Sequence, residues 1–181
     1  MVRHEQLWAP WRLAYVSGEA ESAPAPQPAV NLLPGADADC FLCRAIAAAE
    51  DRGNLLVERS EHSVVMLNRF PYNNGHLLIA PRGHQGRPDE LTDREQLDLQ
   101  RLIAKYVGLI ERLMSAEGFN VGLNLGRAAG AGLPGHLHWH IVPRWNGDTN
   151  FMPTLAGIRV IPQALDALWE MLREADAGNH G

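Results

Sequence analysis

A chain of 181 residues with 46% hydrophobic residues is long enough for one domain with a buried core. Its 16 basic residues are outnumbered by 21 acidic ones, and the net charge of −5 argues against a binder of duplex nucleic acid, which carries a basic stripe. The N-terminus lacks a charged region followed by an apolar run, and no segment reaches the length of a membrane span. These features predict a soluble, cytoplasmic protein.

The first 39 residues are predicted to be an N-terminal arm followed by a flexible loop. Residues 1–16 contain Trp8, Trp11 and Tyr15, and this density of aromatic rings predicts an arm that docks on a folded surface. Residues 17–39 are rich in Ala, Pro, Ser and acidic residues without a sustained period, which is typical of a flexible loop.

From residue 40 onward, helical and strand patterns follow one another. The clearest helix begins after Thr92, which forms a capping box with Glu95, and apolar residues then recur at helical spacing until Gly118, the expected end. The elements predicted before it are a helix over 44–51, strands over 55–59, 63–68 and 76–81, and a loop over 68–76.

The elements predicted after the long helix complete an antiparallel sheet. They are strands over 119–125, 136–142 and 157–161, a glycine-rich loop over 126–135, and a last helix that Pro162 opens and that runs to about Glu174. Strands on both sides of one long helix, with mostly short connections, predict an α+β fold with an antiparallel sheet of about five strands. Residues 151–181 are predicted to form a C-terminal strand and helix extension.

Three histidines stand two residues apart in the segment GHLHWHIVPRW, residues 135–145. On a strand, His136, His138 and His140 point to one face, which is either a solvated polar face or a reactive one. Histidine can act as nucleophile, acid, base or metal ligand, and an exposed strand face more often carries Thr, Lys or Glu. The glycines just before the segment let backbone N–H groups approach an anion, which favours a phosphate-bearing substrate.

The two cysteines of the chain, Cys40 and Cys43, have the spacing of a pair of zinc ligands. A structural disulfide is not expected in a reducing compartment, so a zinc site, a pair of buried thiols and a redox pair are the interpretations. A tetrahedral zinc site requires two further ligands from elsewhere in the chain.

Three segments resemble the histidine-triad (HIT) superfamily. HLHWHIV fits its signature of three histidines separated by apolar residues, LNRFPYNNGHLLIAPRGH (67–84) resembles its ribose-and-base-binding stretch, and FNVGLNLGRAAGAGLPGH (119–136) resembles its phosphate loop. LWAPWR and VPRWNGDTNF are similar to the branch that contains bacterial diadenosine tetraphosphate phosphorylases, beside the fragile-histidine-triad hydrolases. The resemblance implies a HIT-like fold for residues 40–150, with one long helix and a C-terminal helix, and a homodimer formed through the long helix and the sheet edge.

The resemblance also implies a chemistry and a set of site residues. His138 is implied to be the nucleophile that takes up a nucleotide from a dinucleoside polyphosphate, and His136 and His140 are implied to orient it or bind phosphate oxygens. His84 and His136 are implied to complete a zinc site with Cys40 and Cys43. The residues implied to bind substrate are Asn68, His76, Asn124, Gly126, Gly130 and Gly132.

Several alternatives stay open on the sequence. His76 can also satisfy a backbone group, and Arg144 can contact phosphate or form a structural ion pair. Many HIT proteins carry Gln followed by Ser or Thr just before the histidines, whereas residues 131–134 read AGLP here, so contacts to the leaving group fall to backbone N–H groups. The acceptor can be phosphate, as in a phosphorylase, or water, as in a hydrolase; a nucleoside phosphoramidase and a non-catalytic nucleotide-binding module are the other readings.

Overall fold

A five-stranded antiparallel sheet forms the centre of the part of the chain that the computed structural model describes, residues 29–148 and 161–178. Its strands are β1 (Leu56–Arg59), β2 (Ser63–Leu67), β3 (Leu77–Pro81), β4 (Gly118–Leu123) and β5 (Trp139–Arg144). They lie in the order β1-β2-β3-β5-β4. Three helices accompany them: α1 (Phe41–Ala47), α2 (Asp93–Met114) and α3 (Leu165–Gly178). The predicted α+β class, with its long helix and C-terminal helix, is confirmed.

The strands β2 and β3 are buried on both faces, which explains why their sequences, SVVML and LLIAP, are almost continuously apolar. Successive side chains on a strand point to opposite faces of the sheet. Val65 and Ile79 therefore pack in the layer that contains α2 and α3, whereas Val64 and Ala80 pack in the layer that contains α1 and both cysteines. The cysteines thus belong to one hydrophobic layer and the long helix belongs to the other.

The start of α2 is as predicted, but its end is not. The hydroxyl of Thr92 accepts a hydrogen bond from the N–H of Glu95, and the Glu95 side chain accepts one from the N–H of Thr92, so the capping box is confirmed. The helix ends at Ser115, whose backbone is left-handed with φ of 51°, three residues before the predicted stop at Gly118. Gly118 is instead the first residue of β4, because it pairs with Arg144 of β5.

The first helix begins three residues earlier than predicted, at Phe41 rather than at residue 44. Its N-cap is Cys40, whose sulfur accepts a hydrogen bond from the N–H of Cys43, and cysteine is not among the residues that signal a helix start. The Arg59 guanidinium donates to the carbonyls of Ala45, Ile46 and Ala48, which ends the helix well before Gly53. This helix and its arginine hold both cysteines against the sheet.

The strand that carries the histidines also begins later than predicted, at Trp139 rather than at residue 136. Its pairing with β3 reaches Ile79 opposite Trp139, and Pro81, two residues further along β3, has no N–H to continue the ladder. His136 and His138 therefore precede the regular strand. The boundaries predicted for the other strands within the described residues agree with those of the structure to within two residues.

The C-terminal helix α3 starts at Leu165, three residues after Pro162, and extends to Gly178 rather than to Glu174. It covers the edge of the sheet at β1, because Trp169 Nε1 donates to the Leu56 carbonyl and Arg173 donates to the Val57 carbonyl. The predicted strand over 157–161 falls almost wholly outside the described residues, as does the aromatic arm.

Residues 29–39 contain no helix or strand, and Leu32, Leu33 and Ala36 pack against the layer that holds the cysteines. In the described ranges of the chain, no helix is both long enough and apolar enough to cross a membrane.

Lys105 connects three elements through a largely buried ion network. Its ammonium lies 2.8 Å from the Glu58 carboxylate on β1 and 2.5 Å from the Asp176 carboxylate on α3. Replacing Lys105 with Met leaves two buried carboxylates without their cation, and we expect the free energy of unfolding to fall by about 2–3 kcal/mol. Urea denaturation at neutral pH measures this loss.

Arg52 provides the control, since its ion pairs with Asp166 and Glu170 are exposed. We expect Arg52→Met to change the urea midpoint little, because water screens such pairs. Equal stability of the Lys105→Met variant and the unmodified protein would contradict the assigned role of the network.

Candidate active site and metal-binding group

The three histidines of the segment 136–140 divide between two environments. The ring of His136 is fully buried and its Nδ1 lies 3.3 Å from Cys40 Sγ and 3.4 Å from Cys43 Sγ. The rings of His138 and His140 lie together, with centroids 5.1 Å apart. The ring of His136 therefore lies with the cysteines, whereas the rings of His138 and His140 lie next to each other.

Four side chains from three parts of the chain form a group that can hold a metal ion. Cys40, Cys43, His84 and His136 place their ligand atoms within 4.8 Å of one another, and His84 Nδ1 lies 3.2 Å from Cys43 Sγ. These are the four residues that the HIT resemblance implied. All are buried except His84, which is half-buried.

The hydrogen bonds of the group leave its donor atoms available to a cation. His136 Nε2 lies 2.9 Å from the Pro81 carbonyl, and because a carbonyl can only accept, Nε2 carries the proton and Nδ1 keeps its lone pair. A tetrahedral ion with ordinary metal–sulfur and metal–nitrogen bonds separates sulfur from nitrogen by about 3.6 Å. The sulfur–nitrogen distances here, 3.2–3.4 Å, are close to that separation.

Burial shifts the ionisation of this group toward neutral forms. Loss of solvation raises the pKa of the Cys40 thiol to about 12 and lowers the pKa of His136 to about 4. A thiolate here is therefore costly without a compensating positive charge, and a divalent cation supplies one. The donor set and its burial both fit a metal ion.

His138 is held in one tautomer by the backbone of its neighbour. Its Nδ1 lies 2.8 Å from the carbonyl oxygen of His136, so Nδ1 must donate and Nε2 must carry the lone pair. Burial lowers the pKa of His138, which keeps the ring neutral near pH 7. The geometry thus provides a neutral imidazole with a fixed nucleophilic nitrogen.

A second chain of hydrogen bonds fixes the tautomers of His76 and His140. The N–H of Tyr72 donates to His76 Nδ1 over 3.0 Å, so His76 Nε2 carries the proton and donates to His140 Nδ1 over 2.9 Å. The proton of a neutral His140 therefore lies on Nε2. His76 thus accepts from a backbone N–H, one of the alternatives that the sequence left open, and also donates to a second histidine.

The remaining candidate residues surround these imidazoles. Asn68 follows β2, and its amide nitrogen lies 3.3 Å from His76 Nδ1. Asn124 follows β4, whose last residue pairs with Trp139, so the loop that begins there leaves and rejoins the sheet beside His138. Gly126, Gly130 and Gly132 lie in that loop, which is largely exposed.

The glycine-rich loop uses several of its backbone N–H groups internally. Gly126 and Gly130 have left-handed φ angles of 75° and 86°. The N–H groups of Ala129 and Ala131 donate to the Gly126 carbonyl, and that of Gly130 donates to the Arg127 carbonyl. These three N–H groups are therefore hydrogen-bonded within the loop itself.

The family model for the HIT domain matches residues 50–147 of the chain. The chain belongs to the HIT family.

Known HIT-family relatives and a solved structure agree with this assignment. A Mycobacterium tuberculosis protein named AP-4-A phosphorylase is 38% identical over 161 residues, which span 89% of this chain and 78% of the relative. The asymmetrical bis(5'-nucleosyl)-tetraphosphatase of Schizosaccharomyces pombe is 34% identical over 96 residues, 53% of this chain and 52% of the relative. The crystal structure of a Zn-bound histidine triad family protein from Mycobacterium smegmatis superposes with a TM-score of 0.62 at 23% identity and covers 78% of this chain and 96% of its own. This last likeness shows the HIT fold.

Arg144 of this HIT chain forms the structural ion pair, one of the two alternatives that the sequence left open. Its guanidinium lies 2.6 Å from the Asp148 carboxylate and donates to the side chain of Asn120. Asn73 donates to the same carboxylate, which ties the loop before His76 to the end of β5.

Two residues near the site were not identified from the sequence. The ring of Tyr72 stacks on His140 with a centroid distance of 5.6 Å, and an aromatic residue inside the loop 68–76 was the available signal. Gln85 accepts a hydrogen bond from the N–H of Leu137 through its backbone carbonyl. No side-chain pattern can reveal such a contact.

Loss of one sulfur ligand should abolish tight metal binding by this HIT domain. We expect the unmodified protein to bind one equivalent of cobalt(II) with the intense visible absorption of a tetrahedral thiolate site, and Cys43→Ser to lose that spectrum. Titration of metal-free protein with cobalt(II) measures both.

His62→Ala is the matched control, because it removes an imidazole that lies outside the four-residue group. We expect it to bind cobalt(II) as the unmodified protein does. A Cys43→Ser variant with an unaltered spectrum and affinity would remove the cysteines from the metal-binding group.

Proposed function

We propose that this HIT-family enzyme transfers a nucleotide from a dinucleoside polyphosphate, most specifically diadenosine tetraphosphate, to inorganic phosphate. The observation that carries the proposal is the hydrogen bond from His138 Nδ1 to the His136 carbonyl, which leaves Nε2 as a nucleophile. The names of two relatives, a phosphorylase and a tetraphosphatase, support enzymatic activity on such nucleotides.

The reaction follows from the two fixed imidazoles. His138 Nε2 attacks the α-phosphorus, a phosphorus–nitrogen bond forms, and the bond to the leaving oxygen breaks to release ATP. His140 Nε2, which carries a proton, is assigned the role of donating to a phosphoryl oxygen as charge develops there. Phosphate then attacks the nucleotidyl-histidine, which regenerates His138 and releases ADP.

The substrate groups are assigned to the residues that surround the imidazoles. Asn68, beside His76, contacts the ribose of the transferred nucleotide. Asn124 and the glycines at 126, 130 and 132 line the path of the phosphates, since their loop begins and ends next to His138. His136 acts through its carbonyl, because its two ring nitrogens face Pro81 and the cysteines.

The ion of the four-residue group is zinc in this proposal. Two sulfur and two imidazole ligands in a closed tetrahedral arrangement are typical of structural zinc. The HIT protein from Mycobacterium smegmatis is Zn-bound, which supports the same metal here. Zinc stabilises the segment 81–85 against the residues that precede β5, and its removal by a chelator lowers both the thermal midpoint and the turnover rate.

Hydrolysis is the second candidate, because a relative at 34% identity is named a tetraphosphatase. In that case water replaces phosphate in the second step, and the products become AMP and ATP. The two functions share the nucleophile and differ in the acceptor alone.

A product assay separates these functions. We expect diadenosine tetraphosphate to yield ADP and ATP in a reaction that requires inorganic phosphate, because phosphate accepts the nucleotide from His138. Chromatography of reactions with and without phosphate measures the products. Release of AMP and ATP at the same rate in both reactions would identify a hydrolase.

His138→Asn is the control for the mechanism, since asparagine keeps a polar side chain and cannot carry the nucleotide. We expect turnover to fall by at least about 10³-fold while nucleotide binding persists. Turnover comparable to that of the unmodified protein would remove His138 from the reaction.

A homodimer and a cytoplasmic location complete the proposal. Within the described residues, β4 has no strand on its outer side, and its Val121 is 45% exposed, whereas α3 covers the opposite edge at β1. An uncovered apolar edge favours pairing with a second copy.

We expect the unmodified protein to be a dimer in sedimentation experiments. We expect Val121→Lys to be a monomer, because the lysine charge would be buried in the interface. A monomeric unmodified protein would refute the interface.

A further inference from the structure

The residues assigned to the phosphates beyond the attacked one include no cation. A leaving ATP carries several negative charges, and phosphate recognition in proteins relies on cations and N–H donors. Between Leu125 and Gly135, the single polar side chain is that of Arg127. The remaining side chains of this stretch are those of Ala, Leu and Pro.

The other side chains of the loop, and several of its N–H groups, do not serve to bind phosphate. Leu133 packs against the layer that holds the cysteines, and Ala131 is buried. Three of the loop's N–H groups donate within the turn that starts at Gly126. Residues 131–134, AGLP, thus offer no side chain that can donate a hydrogen bond.

Arg127 has a backbone that is hydrogen-bonded within a turn and a side chain that is exposed to solvent. It lies between two glycines with left-handed backbones, Gly126 and Gly130, and its carbonyl accepts from the Gly130 N–H. Its side chain is exposed, and within the described ranges no carboxylate pairs with it. By contrast, the guanidinium groups of Arg52, Arg59 and Arg144 are held by ion pairs.

The sheet places this arginine near the nucleophile. The last residue of β4, Leu123, pairs with Trp139, and Trp139 directly follows His138. Arg127 is four residues beyond that pairing, in the loop that returns to the histidines. Arg127 therefore belongs to the loop that leaves the sheet beside His138 and returns to it.

We infer that Arg127 binds the phosphates of the leaving group and so makes the enzyme prefer substrates with a polyphosphate chain. The inference rests on the proposed function. A guanidinium can bind two phosphate oxygens at once, which suits a chain of phosphates better than a single one. Because the side chain is exposed, its contribution to binding decreases as salt concentration rises.

The test compares two substrates that share the transferred nucleotide and differ in the leaving group. Diadenosine tetraphosphate releases a polyphosphate, whereas adenosine 5'-phosphoramidate releases ammonia. For Arg127→Gln, we expect the ratio of kcat/KM for the tetraphosphate to that for the phosphoramidate to fall roughly 10- to 100-fold, as for loss of a hydrogen bond between charged groups. Arg127→Lys restores part of the ratio.

Arg112→Gln is the matched control, since it removes one exposed positive charge from the last turn of α2. We expect it to leave the ratio as it is in the unmodified protein. An equal fall of both kcat/KM values in Arg127→Gln would indicate a structural role and overturn the inference, and so would an unaltered ratio.

A binding experiment separates failure of the inference from failure of the proposed function. Calorimetric titration with ATP and with AMP needs no turnover. We expect Arg127→Gln to weaken ATP binding roughly 10-fold or more relative to AMP binding, with a smaller difference at high salt. Equal effects on both nucleotides overturn the role of Arg127 even if neither substrate is cleaved, whereas absence of turnover in the unmodified protein overturns the proposed function alone.

Discussion

The hydrogen bond between His138 Nδ1 and the carbonyl of His136 determines what the rest of the site can do. It fixes which nitrogen of the His138 ring carries the lone pair, by means of the backbone of another residue. The His136 carbonyl is available for this bond because the ladder between β3 and β5 stops at Trp139. Pro81, two residues beyond the last paired residue of β3, has no N–H to continue the ladder. An irregular stretch before a strand is therefore a requirement of the site.

His136 joins the two halves of the site. Its ring faces the cysteines and its carbonyl holds His138, so a rotation of this residue would disturb both. The Pro81 carbonyl on its Nε2 and the Gln85 carbonyl on the next N–H hold the same stretch from the other side. The end of β3 and the segment after it thus hold both the metal-binding group and the ring of His138 in place.

The sequence could predict those features that depend on side-chain type and spacing. The capping box of α2, the central strands and the four members of the metal-binding group belong here, although the last two members came from resemblance to a family. The sequence could not predict features that depend on hydrogen bonds of the backbone. The start of β5 depends on a proline in another strand, the start of α1 on a cysteine that caps a helix, and the role of Gln85 on a carbonyl. The internal use of loop amides could not be predicted either, since glycine permits many turns.

In the glycine-rich loop, packing restricts the positions that can carry a polar side chain. Leu133 contributes to the hydrophobic layer around Cys40 and Cys43, and a polar residue there would weaken that layer. The loop therefore cannot place a hydrogen-bonding side chain at that position while it covers the cysteines. In the proposed reaction, the positive charge for the leaving phosphates comes from a position that does not pack. Arg127 is such a position, because its side chain is exposed and it lies between two glycines with positive φ angles. The inferred role of Arg127 thus follows from a loop whose second half packs against the hydrophobic layer of the cysteines.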